Sequence, residues 1–334
     1  MEFLIVIFFF IASVVFTHIY KKIAIDYKIL AIKNHRTLHS LPTPRGGGFI
    51  FSILSISAFG LISWHQHLTE GLLLALLVGG LIATLTGFID DLKDLSTKVK
   101  LNIQLILAFW LLYCQYYDES MLFDLLPVYI IVPIALFFMV WMMNAFNFMD
   151  GIDGMLASGT IFGSLVLALV MFLTQGPIEI IAIFILIAAT VAGFILFNWP
   201  PATIFMGDAG SLFLGYIFCV LLFFTSMNNI ISIWTWFTVF GIFFTDTAVT
   251  QVMRILLVKR WYMAHRSHAY QNIARITESH LKVTGGVLLF NLLWVLPLAV
   301  WSALQPEMGM IALILSISPA LVVAYKYGPI FSSS

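Results

Sequence analysis

The sequence predicts an all-α, polytopic integral membrane protein with about eleven transmembrane helices and its N-terminus outside. Three observations carry this. Hydrophobic residues make up 61% and charged residues only 10% of the 334 positions, with a mean hydropathy of +1.04, whereas soluble domains carry about 25% charged residues. Apolar stretches near the ~20 residues that a spanning helix needs recur along the whole chain. All sixteen Lys and Arg fall in alternate loops, the pattern expected because basic residues in short loops resist translocation.

Taken in order, the predicted spans lie near 3–20, 47–64, 72–89, 101–117, 125–143, 155–174, 178–197, 212–227, 230–253, 286–304 and 309–325. The first begins MEFLIVIFFF without a basic leader and is followed by Lys21 and Lys22, which suits an uncleaved span rather than a signal peptide. With the N-terminus outside, loops 21–46, 90–100, 144–154, 198–211, 254–285 and the C-terminal tail are cytoplasmic. The outside turns carry only acids: Glu2, Glu70, Asp118, Glu119, Asp124, Glu179 and Glu307. No fixed-period repeat or low-complexity tract interrupts the chain, which reads as one domain over 1–334. Cys114 and Cys219 both sit in apolar segments, so a disulfide framework is not expected.

The polar constellations all fall on the cytoplasmic side. GFIDD puts Asp90 and Asp91 at the end of the third span, with Lys98 and Lys100 shortly after. NAFNFMDGIDG spaces Asn144, Asn147, Asp150 and Asp153 by three residues. On one regular helix, steps of three drift about −60° each, leaving Asn144 and Asp153 on opposite sides. Gly151 and Gly154 predict a break instead, one able to turn all four side chains toward one pocket. Asn198, Phe205 and Asp208 share a Pro- and Gly-rich turn, His35, His39 and Arg45 precede three glycines, and His265, Arg266 and His268 occupy the late loop.

Five carboxylates hard against apolar spans are costly and point to function. Carboxylate and amide oxygens suit a hard cation such as Mg²⁺, which takes one or two carboxylates plus substrate phosphates. Nearby Lys, Arg and His would neutralise the remaining phosphate charge. Phe205, alone among small residues, offers a flat face to a base. The chemistry implied is phosphoryl transfer on a nucleotide substrate at the membrane surface, with a lipid partner and no nucleic acid. Neither a Walker loop nor a GxGxxG motif is present. Lys21, Lys22, Lys93 and Lys282 read as topology markers, Asp94 as a turn or helix N-cap, and His65 and His67 as outside-turn residues.

The ordered set PTPRGGG, GFIDD with its downstream lysine, NAFNFMDGIDG, IFMGDAGS and HRSHAYQ resembles the polyprenyl-phosphate N-acetylhexosamine-1-phosphate transferases. This is glycosyltransferase family 4, related to the phospho-N-acetylmuramoyl-pentapeptide translocase. The resemblance covers nearly the whole chain. It implies an active site on the cytoplasmic face of the bacterial inner membrane. There, undecaprenyl phosphate attacks the β-phosphate of a UDP-N-acetylhexosamine, giving undecaprenyl-diphospho-sugar and UMP. By the same resemblance Asp208 is the Mg²⁺ ligand, with Mn²⁺ as a substitute, and Asn147 stands near the metal and diphosphate. Asp90 and Asp91 stand beside the attacking lipid phosphate, and Lys100 binds the diphosphate. Phe205 stacks on uracil, with Asp153 and Asn198 near the nucleoside. The substrate-binding set also takes in His39, Arg45, Asn144, Asp150, His265, Arg266 and His268, and a homodimer is compatible with the family.

Two departures refine this. The peptidoglycan branch has a longer loop between its acidic pair and the lysine, and three consecutive histidines in its late loop. The short loop and HRSHAYQ here resemble the O-antigen-initiating branch, whose donor is GlcNAc or a 6-deoxy relative. The competing class is a transporter or flippase, whose sites usually lie near the bilayer midplane. Only Asp246 among the acids falls in the interior of a predicted span. Arg254, eight residues on, lies roughly 12 Å away along a helix, so Asp246 reads either as a hydrogen bond between spans or as support for the site.

Overall fold

A computed structural model describes residues 2–31, 43–66, 68–119, 122, 126–257 and 267–329. Its helices are α1 Glu2–Asp26, α2 Gly48–His65, α3 Glu70–Lys93, α4 Thr97–Tyr117, α5 Val128–Phe148, α6 Met155–Leu173 and α7 Ile178–Asn198. They continue with α8 Asp208–Met227, α9 Ile233–Val239, α10 Gly241–Leu257, α11 Ala269–Thr277, α12 His280–Leu304 and α13 Gly309–Tyr327. Among the described residues ten are long and apolar enough to cross a membrane, or eleven if the bent pair α9 and α10 is counted as one span. Strongly apolar side chains such as Phe137, Phe172, Leu196 and Leu293 remain exposed on the outer surface of the bundle. Lipid, rather than protein, is the natural partner for such a surface.

Helix α8 is the axis of the bundle, buried along almost its whole length, and it packs on α2, α3 and α5. Small residues permit these crossings. A Cβ on Gly48 of α2 would lie 2.3 Å from Gly210 Cα, and one on Gly87 of α3 would lie 2.1 Å from the Asp208 carbonyl oxygen. Gly48, the last of the GGG run, and Gly87 of GFIDD are therefore contact surfaces that let backbone meet backbone. A two-residue antiparallel pairing, Leu30–Ala31 with Thr43–Pro44, closes the loop that precedes α2. That loop is tied to the turn before α8 through Phe205 N–H to Pro44 C=O (2.8 Å), Gly47 N–H to Phe205 C=O (3.0 Å) and Gly48 N–H to Met206 C=O (2.8 Å).

Several expectations need correction. The ninth span is not one straight helix but turns by 81° between α9 and α10. Gly241 sits at the break, and Ser316 of α13 donates to the Thr238 carbonyl at 3.2 Å. A side chain on a neighbouring helix thus satisfies backbone that a broken helix leaves open. Helix α3 runs on through Asp90 and Asp91, α5 through Asn144 and Asn147, and α8 begins at Asp208. Asp94 is not an N-cap. It ends α3 in the left-handed region (φ 48°) and accepts both Arg45 guanidinium nitrogens at 3.2 Å. His39, His265, Arg266, His35 and His67 lie outside the described residues.

Candidate active site

The site forms where the C-terminal ends of α3 and α5 meet the N-terminal ends of α4 and α8. Lys100, in the first turn of α4, reaches back between two carboxylates. Its Nζ touches Asp90 Oδ2 and lies 3.0 Å from Asp208 Oδ2. Asn147 Nδ2 closes the group, donating to Asp208 Oδ1 and to Ser211 Oγ, each at 2.9 Å. Asp90 is further held by the Leu95 N–H, which donates to its Oδ1 at 2.6 Å. Four groups from four helices, spread over more than a hundred residues of sequence, therefore meet in one cluster.

Asp91 does something different from its neighbour. Its two oxygens accept the Asp208 N–H (3.0 Å) and the Ala209 N–H (3.1 Å). The first N–H groups of a helix have no partner within it, and α8 has no side-chain cap of its own. Asp91 supplies that cap from α3, and its negative charge suits a helix N-terminus. Gly207, at φ 74°, allows this approach, because a Cβ there would stand 2.5 Å from Asp91 Oδ2.

The four polar residues of NAFNFMDGIDG do not converge on one pocket. Asn144 makes a reciprocal amide pair with Gln104, donating at 2.9 Å and accepting at 3.2 Å, and also donates to the Val140 carbonyl. Asn147 joins Asp208. Burial first, then the Asp208 and Asp91 carboxylates, push the Asp150 carboxyl well above its usual range, with the Gly207 N–H opposing. Asp153 turns away: its Oδ2 accepts the Ala202 N–H at 2.9 Å and lies 3.3 Å from His280 Nδ1, while Thr284 donates to its carbonyl. The two glycines break the helix as expected, but the segment divides its side chains between two neighbouring loops.

Asn198 is buried, accepting from the Gly154 N–H at 3.1 Å and donating to the Ile204 carbonyl at 3.0 Å. Together with Asp153 it fixes the turn that carries Phe205. Arg45 stands near by, its carbonyl accepting from Tyr20 Oη at 3.1 Å. His268 is buried between Phe148 and Tyr270. Gln104, Ser211, His280 and Thr284 escaped the reading of the sequence. Only Gln104 carried a usable signal, as an amide inside an apolar span one turn beyond Lys100.

The donor set fits a small hard cation. Asp90, Asp208 and Asn147, with Lys100, line a cavity of about 30 Å³, room for one or two water-sized species. Among the described residues no three His, Cys, Asp or Glu side chains gather into a metal cluster. The fit is thus to an ion that takes one or two carboxylates and completes its shell with substrate oxygens. Asn147 uses its amide nitrogen on Asp208 and Ser211, leaving Oδ1 as its oxygen donor.

Fold and site together describe a polytopic helical membrane protein whose acids, amide and lysine gather at one end of the bundle rather than at its middle. The sequence signature of glycosyl transferase family 4 matches residues 73–226. A probable undecaprenyl-phosphate N-acetylglucosaminyl 1-phosphate transferase of Bacillus subtilis (strain 168) is 30% identical over 276 residues, 80% of this chain and 75% of the relative. A phospho-N-acetylmuramoyl-pentapeptide-transferase of Wolbachia sp. subsp. Brugia malayi (strain TRS) is 32% identical over 279 residues, 78% of this chain and 82% of the relative. The chain belongs to glycosyl transferase family 4 and is a phospho-sugar transferase. Both branches of the family match at comparable identity.

Proposed function

We propose that the protein transfers N-acetylhexosamine-1-phosphate from a UDP-N-acetylhexosamine to undecaprenyl phosphate, in a Mg²⁺-dependent reaction at the cytoplasmic face of a bacterial inner membrane. The meeting of Asp90, Lys100, Asn147 and Asp208 in one small cleft carries the reading. An oxygen of the lipid phosphate attacks the β-phosphorus of the donor. The bond from that phosphorus to the bridging oxygen breaks, and UMP leaves with the electron pair. Mg²⁺, held by Asp208 with Asn147, would neutralise diphosphate charge as it develops. Lys100 adds a positive charge on the same groups, and Asp90 positions the incoming phosphate. That phosphate is already largely ionised near pH 7, with a second pKa of about 6, so positioning outweighs proton removal.

The short loop between Asp91 and Lys100 and the HRSHAYQ segment favour a GlcNAc-type or 6-deoxy donor over the pentapeptide one. That would place the reaction at the first membrane step of O-antigen or other envelope polysaccharide synthesis. Purified protein given undecaprenyl phosphate, Mg²⁺ and a panel of UDP-sugars should release UMP with at least one of them. Release with none would sink the transferase reading, and transport of an intact lipid-linked sugar would replace it.

Orientation follows from the basic residues. Single cysteines replacing Glu70 and Glu307 should react with a membrane-impermeant thiol reagent in intact cells, and those replacing Lys98 and Arg275 only after the membrane is opened. Labelling of the Lys98 or Arg275 position from outside would overturn both the orientation and the cytoplasmic site.

A further inference from the structure

Asp246 stands five residues beyond Gly241 on α10 and is buried. Both of its oxygens are engaged by the start of α11. Oδ1 accepts the Ala269 N–H at 2.8 Å and Oδ2 lies 3.1 Å from His268 Nδ1. Helix α11 has no side-chain cap of its own, so Asp246 supplies one from another helix, as Asp91 does for α8. A buried carboxylate is tolerable only with such partners. Arg254, the sole cation on the same helix, is eight residues away.

The start of α11 is in turn pressed against the turn that follows α5. The His268 ring lies 5.5 Å from that of Phe148 and 5.9 Å from that of Tyr270. Tyr270 Oη donates to the Phe148 carbonyl at 2.5 Å and accepts from Gln271 Nε2 at 3.2 Å. Burial, then the carboxylates of Asp246 and Asp150, push the Tyr270 phenol far up, so it remains a hydroxyl donor. There is no slack in the contact: a Cβ on Gly151 would stand 2.2 Å from both Gln271 Nε2 and Tyr270 Oη. Phe148 immediately follows Asn147, whose amide holds both Asp208 and Ser211.

We propose that Asp246 is a positioning residue which, through His268 and Tyr270, braces the 148–151 turn and so sets where Asn147 and Asp208 stand. It touches no substrate. The proposal rests on the transferase reading in taking Asn147 and Asp208 as the cation site and the turn held by Asp153 and Asn198 as the nucleoside side. The nucleoside side of the cleft is held by separate bonds, from Asp153 to Ala202 and from Asn198 to Ile204. Relaxing the brace should therefore disturb the cation and leave the nucleoside in place.

The test compares Asp246→Asn, Tyr270→Phe and the double variant in the full-length purified protein. Mn²⁺ binding is followed by electron paramagnetic resonance in the presence of UDP, and UMP release is followed as Mg²⁺ is varied. Losing a charge-assisted hydrogen bond is worth roughly tenfold or more. Asp246→Asn should raise the Mn²⁺ Kd and the Mg²⁺ half-saturation about tenfold, with inhibition by uridine unchanged. Tyr270→Phe should move both in the same direction. Because both act through one turn, the double variant should be no worse than the more severe single one.

Wild-type Mn²⁺ affinity in Asp246→Asn, or multiplying effects in the double variant, would overturn the proposal. So would a loss confined to thermal stability, with metal dependence per folded molecule unchanged. Wild-type protein that binds Mn²⁺ but releases no UMP would sink the transferase reading alone, and the shift in Mn²⁺ Kd would still decide the brace.

Discussion

Asp90→Asn is expected to lower kcat by about 10²–10⁴-fold, the usual range for a group acting directly on the reacting atoms. Mg²⁺ half-saturation and thermal stability should stay near wild type. The reason is geometric. Asp90 shares Lys100 with Asp208, but Asn147 orients Asp208 alone, so the two carboxylates are not equivalent donors. Asparagine keeps the shape of the side chain and an oxygen for the Leu95 N–H, while losing the charge that holds Lys100 in place to position the lipid phosphate. Asp208→Asn should instead weaken metal use, with activity partly restored by high Mg²⁺ or by Mn²⁺. A Mg²⁺ titration of both variants at saturating UDP-sugar decides the matter. Rescue of Asp90→Asn by metal, with no rescue of Asp208→Asn, would reverse the two assignments.

Asp91→Ala should abolish activity by another route and lower stability as well. Its carboxylate caps the N-terminus of α8 in a buried setting, and removing it leaves the Asp208 and Ala209 N–H groups without acceptors. Loss of a helix cap costs about 0.5–2 kcal/mol, and orphaned buried donors cost about 1–3 kcal/mol each, so a destabilisation of about 2 kcal/mol is expected. Activity should not return at any Mg²⁺ concentration, because the helix start that carries Asp208 has lost its anchor. Thermal unfolding in detergent and a Mg²⁺ titration check the two halves separately. An Asp91→Ala protein as stable as wild type, or one rescued by metal, would place Asp91 in the chemistry beside Asp90.

The contrast between these adjacent aspartates shows where reading the sequence stops. GFIDD marks both as expensive at a membrane boundary, because the cost of a carboxylate against an apolar span is local. Which one meets a lysine and which meets backbone N–H groups depends on the helix ends brought against α3. One donor set lies ten residues on and the other more than a hundred. The same limit governs Asn144 and Asn147, one turn apart on α5. The first is saturated by Gln104 on α4 and the second reaches Asp208 on α8. The spacing in NAFNFMDGIDG points Asp153 to the same pocket, yet the turn at Gly154 hands it to Ala202 and His280. Asp246 offered two readings, and the return of the chain at His268 gives it its partners.

By itself the sequence determined what local energetics dictate. Each apolar run long enough to cross a bilayer became helical, the ninth as a bent pair, since a backbone in lipid must satisfy its own hydrogen bonds. The costly polar residues marked the loops where the site would form, and GFIDD, NAFNFMDGIDG and IFMGD named its acids and amides. The tertiary structure alone decided the break between α9 and α10, the cap that Asp91 provides for α8, and the brace from Asp246 to the 148–151 turn. Each of these is a bond between groups far apart in the chain, and its energy depends on distances that only packed helices establish.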